Sequence, residues 1–155
     1  MNLSLGEFEA LVRKAFRGAG YPWGLAEDGA NAARTLAECG EPAGASVVRL
    51  LEAVRDVPLS ELMPGDDWRA PSGTACPICV GACLEDVGRP EVELGPMHEP
   101  ALLLPEPPAV GDRHDRVELD AETLAALEGW AHRTYAPDTE ASRIAGAGAG
   151  LTDND

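Results

Sequence analysis

The sequence predicts an α+β protein, and three observations carry that reading. Apolar residues recur at helical spacing through residues 1–63, which gives an N-terminal three-helix cluster. Residues 64–118 break that period with prolines, glycines and short apolar runs, which suits a loop-rich middle holding a small irregular antiparallel β element. Residues 119–155 return to helical spacing and end in a Gly/Ala-rich tail. With 155 residues the chain is expected to form a single domain, since domains of about 100–200 residues are the commonest.

The first helix is marked by its cap. Ser4 and Glu7 have the spacing of a capping box, Leu3 and Phe8 that of a hydrophobic staple, and Leu5, Phe8, Val12, Ala15, Phe16 and Ala19 then share a face. Gly18 and Gly20 offer a stop. Pro22 with Glu27 and Asp28 suits the start of a second helix, whose stripe of Leu25, Gly29, Ala32 and Leu36 is flanked by alanines and ends near Gly40. The third helix is expected over residues 43–56, with Val47, Leu50, Leu51 and Val54 facing inward. Pro58 ends it, and residues 59–63 add one more turn.

Residues 65–73 read as a loop, whereas residues 76–87 fit either a short helix or a buried turn. The runs 92–94 and 101–104, bounded by Pro90, Pro96, Pro100 and Pro105, are expected as short edge strands. Residues 106–116 form an exposed connection. Residues 117–120 extend briefly before Asp120 caps a fourth helix, in which Leu124, Leu127, Ala131 and Tyr135 share a face; Asp138 caps a last short helix through Ile144.

Charge limits the partners. The chain carries 12 Lys and Arg against 27 Asp and Glu, a formal net charge of −15, with Lys14 its only lysine. Phosphate backbones are bound through clustered cations that release counterions, so nucleic acid and anionic membranes are not expected as partners, and the excess of carboxylates reads as a solubilising surface or as one that attracts a basic partner protein. The first residues lack a basic segment followed by an apolar run, and no eighteen-residue apolar stretch occurs, so a cytoplasmic protein is expected. Its cysteines are then expected as thiols or metal ligands.

Three sets of residues are candidates for chemistry. Cys76, Cys79 and Cys83 form a C-x2-C-x3-C array, and with His98 they supply the four ligands of a tetrahedral zinc, the one cofactor the sequence offers. The C-x2-C pair also suits redox chemistry, against which stands the missing βαβ pattern, and packing as small buried thiols is the simplest reading. The other two sets centre on the tail. Glu140, Ser142, Arg143 and Asp153 are catalytic candidates, with Arg143 holding a substrate carboxylate and Glu140 or Asp153 as acid or base. Tyr21, Trp23 and Arg143 are candidate ligand-binding residues. Gly146, Gly148 and Gly150 do not make a dinucleotide loop, because only five residues follow where a helix must begin. No G-x-S-x-G elbow or P-loop is present, and the three histidines stand far apart.

Residues 2–27, from Asn-Leu-Ser-Leu-Gly-Glu to Tyr-Pro-Trp-Gly-Leu-Ala-Glu, and residues 135–155, from Tyr-Ala-Pro-Asp-Thr-Glu-Ala-Ser-Arg to Leu-Thr-Asp-Asn-Asp, resemble the two ends of a small bacterial family known only as a domain of unknown function. The Cys-Pro turn at Cys76 and the Pro-Ala-Leu-Leu-Leu-Pro run at Pro100 are similar to it as well. The resemblance implies longer relatives, with the shortfall between Leu104 and Val117, and a tail packed on the body; it implies no activity, cofactor or catalytic residue. The function expected is that of a non-catalytic accessory or binding protein. A small enzyme with a carboxylate-binding site where the tail meets the body, and a zinc-stapled module, are the alternatives.

Overall fold

The computed structural model describes residues 1–134. Helix α1, Leu5–Gly18, begins as the capping box requires: Glu7 N donates to Ser4 Oγ at 3.3 Å, and Ser4 N donates back to Glu7 Oε2 at 2.8 Å. Two orphan amides of the first turn are satisfied reciprocally. Its inner stripe of Phe8, Val12, Ala15 and Phe16 is wholly buried. Helix α2, Trp23–Glu38, answers with alanines and Gly29, and the small residues let the two helices approach closely. A Cβ on Gly29 would lie 2.6 Å from Phe16 Cε2, so the ring rests where a larger side chain would stand.

Helix α3, Ala43–Ala53, buries Val47, Leu50 and Leu51, and is followed by one turn, α4, Leu59–Leu62. The third helix stops three residues short of the expected end. Helix α5, Pro77–Val87, settles the open choice at residues 76–87 in favour of a helix. Helix α6, Ala121–His132, starts at Asp120, whose carboxylate accepts from Thr123 N at 2.7 Å. Helix α1 lies between α2 and α6, α3 closes against α2 and α6, and α5 packs on α2. The class is α+β, mostly helical.

The sheet departs from expectation in its place. Strand β1, Asn2–Ser4, pairs antiparallel with β2, Arg116–Glu118, putting Leu3 opposite Val117. The amide of Leu119 continues the ladder to Met1 O at 2.8 Å. The runs expected as edge strands are not strands. Residues 92–94 carry no ladder, and the nearby pairing is an isolated parallel bridge between Ala75 and Met97. Within 101–104 the chain makes a 3₁₀ turn, Pro100–Leu102, because Pro100 has a preset φ and no N–H to give a ladder, while Leu102 is drawn into the core. A satellite cluster of Ala70, Ala75 and Val80 under Trp68, Leu94, Met97 and Leu103 holds the middle segment.

Ion pairs tie the long connections to the helices. Arg34 on α2 donates to Glu9 on α1 at 2.8 Å and to Glu38 at 3.1 Å, and His114 N donates to the Glu38 carbonyl. Arg49 on α3 forks onto Glu99 at 2.9 and 2.8 Å, holding its carboxyl below the usual carboxylate range. Among the described residues no buried side-chain nitrogen or oxygen lacks a partner, and no helix is long and apolar enough to cross a membrane.

Candidate functional site

Arg13, Lys14 and Arg17 occupy i, i+1 and i+4 on α1, so all three project from the side turned away from the core stripe. The chain then turns at Gly20 and enters α2 with Trp23, whose indole is 62% exposed. From the far end of the sequence α6 delivers Arg133 to the same place, because α6 runs along α1. These residues, with Ala10, Glu27 and Thr134, line a groove of ≈ 710 Å³, inside the range of about 300–1,000 Å³ that ligand clefts occupy. Four cations face one carboxylate there, on a chain with only 12 cations in all.

Two of the groove's three arginines are held by ring contacts, while Arg13 pairs with Glu9 at 3.9 Å. The Arg17 guanidinium lies 4.8 Å from the centroid of the Trp23 ring and donates from Nη1 to the Tyr21 carbonyl. Arg133 stacks over Trp130 at 3.9 Å, and Trp130 is fixed in turn by donating from Nε1 to Glu52 at 3.2 Å. Stacking occupies the face of a guanidinium and leaves in-plane N–H groups at its edge, the geometry that grips a carboxylate in two parallel hydrogen bonds. By contrast, the cleft beside α2 and α5 is ≈ 170 Å³ and bordered by Asp28 and Glu85. Burial, followed by the charges of Glu27 and Asp86, pushes the Asp28 carboxyl up, which marks that side as short of cations.

Of the two aromatic candidates, only Trp23 reaches the groove. Tyr21 is 2% exposed, its ring edge-on to Phe16 at 5.0 Å, and its hydroxyl lies 3.3 Å from Cys76 Sγ. Glu140, Ser142, Arg143 and Asp153 lie outside the described residues, as do Tyr135, the expected last helix and the glycine-rich tail.

Cys76 stands at the N-cap of α5, with Cys79 one turn in and Cys83 a turn further, half-buried. The backbone amide of His98 donates to the Ala75 carbonyl at 2.9 Å, which brings that strand of chain beside the cysteine turn. Among the described residues, however, no three of the His, Cys, Asp and Glu side chains are grouped so as to hold a metal ion, so Cys76, Cys79, Cys83 and His98 are not gathered into one ligand set.

The groove went unread in the sequence, although the i, i+4 spacing of Arg13 and Arg17 around the only lysine was a signal. Arg133 had none, being 116 residues from Arg17 and joined to it only through α6 packing.

The molecule is thus an acidic, mostly helical α+β protein whose described residues form a basic, aromatic-edged groove. Residues 3–76 match a protein family described as "Protein of unknown function (DUF3726)", so the likeness to a domain of unknown function is shown for that span, which holds α1 to α4 and ends at Cys76. No curated protein matches the chain, and no solved structure does.

Proposed function

We propose that the protein is a non-catalytic binding protein whose Arg13, Lys14, Arg17, Trp23 and Arg133 groove takes a carboxylate-rich segment of a partner protein. The observation that carries this reading is the gathering of a third of the chain's cations around an exposed indole, on a molecule whose net charge is −15. A solvated surface has no need to concentrate cations in this way. The fixed guanidinium edges suit carboxylates, and the flat indole suits an apolar or aromatic side chain beside them. An open groove walled by long Arg and Lys stems fits an extended peptide better than a small molecule, which is usually largely enclosed. Nucleic acid, rich in phosphate over a long track, would meet the acidic remainder of the surface and be repelled.

Fluorescence anisotropy with a labelled Glu-rich peptide tests the reading. The full chain should bind it, and Arg17→Glu or Arg133→Glu should each weaken binding about tenfold or more, as the loss of a charge-assisted pair of about 1.5–3 kcal/mol implies. Affinity should fall as salt rises. Binding indifferent to both charge reversals contradicts the reading, and turnover of a carboxylate substrate by the isolated chain would replace it with that of a small enzyme.

A further inference from the structure

A C-x2-C pair that begins a helix places its first sulfur where the helix leaves amides without intrahelical partners. Cys76 does this for α5: its backbone is extended, with φ −82° and ψ 127°, and the chain turns helical at Pro77, whose missing N–H costs nothing in the first turn. The first-turn amides of Ile78 and Cys79 therefore favour a thiolate at Cys76. The Tyr21 hydroxyl approaches that sulfur at 3.3 Å from across the core, and Cys79 stands three residues on, in the first turn of the same helix. Cys76 and Cys79 are fully buried and Tyr21 nearly so.

Packing alone does not account for this convergence. A neutral thiol is a weak acceptor, and donors aimed at one sulfur favour its thiolate. The neighbouring Cys79 thiol, helped by Tyr21 and the two amides and opposed by burial, brings the Cys76 thiol down to about 7. The same pairing, together with burial, pushes Cys79 up, and burial followed by the charge of Asp86 pushes Cys83 up. The two thiols are thus unequal, one disposed to attack and the other to remain protonated until it is needed. Cys76 at the N-cap and Cys79 in the first turn have the C-x2-C spacing at a helix start that dithiol–disulfide pairs use.

We propose that Cys76 and Cys79 are a redox-active dithiol that closes to an intramolecular disulfide by exchange with a low-molecular-weight disulfide, Cys76 attacking first and Cys79 resolving. The Cys76 thiolate attacks one sulfur of the small disulfide, forming a mixed disulfide and releasing one small thiolate. Cys79 gives up its proton and attacks the Cys76 sulfur, which releases the second small thiolate. Two protein thiols lose two electrons, and the small disulfide takes them up as two thiols. Tyr21 is a positioning residue, holding Cys76 as the thiolate. Because the pair is buried, the exchange proceeds through opening of the first turn of α5. This site is separate from the basic groove and does not depend on the groove's ligand.

The test uses the full reduced chain, equilibrated without oxygen in mixtures of oxidised and reduced glutathione. The expected product is about 2 Da lighter, as the loss of two hydrogens requires, with a Cys76 to Cys79 link in its digest and with Cys39 and Cys83 still open to alkylation. Cys79→Ser should stop at one glutathione adduct on Cys76. Tyr21→Phe should shift the pH midpoint of Cys76 alkylation upwards, which a purely structural tyrosine would not do. Should Cys79→Ser fail to fold, the mass and linkage of the unaltered chain decide the matter alone. Cys76 and Cys79 staying alkylatable at every glutathione ratio, a link that joins Cys39 or Cys83 instead, or one zinc per purified chain protecting the pair would each overturn the proposal.

Discussion

At Gly18, where α1 crosses the end of α6, a Cβ would lie 1.8 Å from the Trp130 carbonyl oxygen. Ala is the better helix former by about 1 kcal/mol, so propensity alone favours Gly18→Ala. The obstacle is backbone of a packed helix that also carries Trp130 and Arg133, so the clash decides, and a net loss of about 1–3 kcal/mol is expected. Gly129 is the control: it lies on the exposed side of α6 with nothing within 4 Å of its Cβ position, and Gly129→Ala should stabilise by about 0.4–1 kcal/mol. Urea unfolding of the two variants reads the contrast, and equal effects would refute it. In the sequence Gly18 read as a helix stop and nothing marked Gly129, because close approach between elements leaves no mark on local pattern.

The helices that could be read in the sequence had a cap and a one-sided stripe, as at Ser4 with Phe8, Val12 and Phe16. Helix α5 had neither. Pro77, Ile78, Cys79, Val80 and Gly81 are buried in succession, and a helix start that is apolar all round has no periodic face to betray it. Strand β1 was missed for a different reason: three residues pair with a segment more than a hundred positions away, and the same residues already looked complete as a helix cap. Val92 and Leu94 misled because apolar runs between prolines satisfy a strand pattern without any partner strand.

Capping also fixes how these elements respond to acid. The amide and hydroxyl of Thr123 hold Asp120 below the usual carboxylate range, and the Ser4 hydroxyl does so for Glu7. A lowered folded pKa contributes stability that is fully present above the unfolded value and is lost as pH falls through the folded one. Stability should therefore decline as pH drops below the ordinary carboxylate values. Asp120→Asn, which keeps the cap but cannot titrate, should flatten part of that decline while changing little at neutral pH. Denaturation midpoints at pH 7 and pH 3 measure it, and an unchanged acid limb in Asp120→Asn would contradict it.

Over the whole molecule, composition showed the acidity but hid its distribution. Eleven arginines look scattered along the chain, yet the packing of α6 on α1 brings Arg133 to Arg13, Lys14 and Arg17. The groove therefore belongs to the tertiary structure. Its α1 and α2 residues fall within the span that matches the family, and Arg133 falls beyond it. The most direct measurement follows the three indole N–H resonances of the full chain while a Glu-rich peptide is added. The Trp23 resonance should move and saturate, with Trp68 unmoved and a Lys-rich peptide without effect on Trp23. A Trp23 resonance that stays fixed while the peptide binds elsewhere, or no binding at all, would contradict the account.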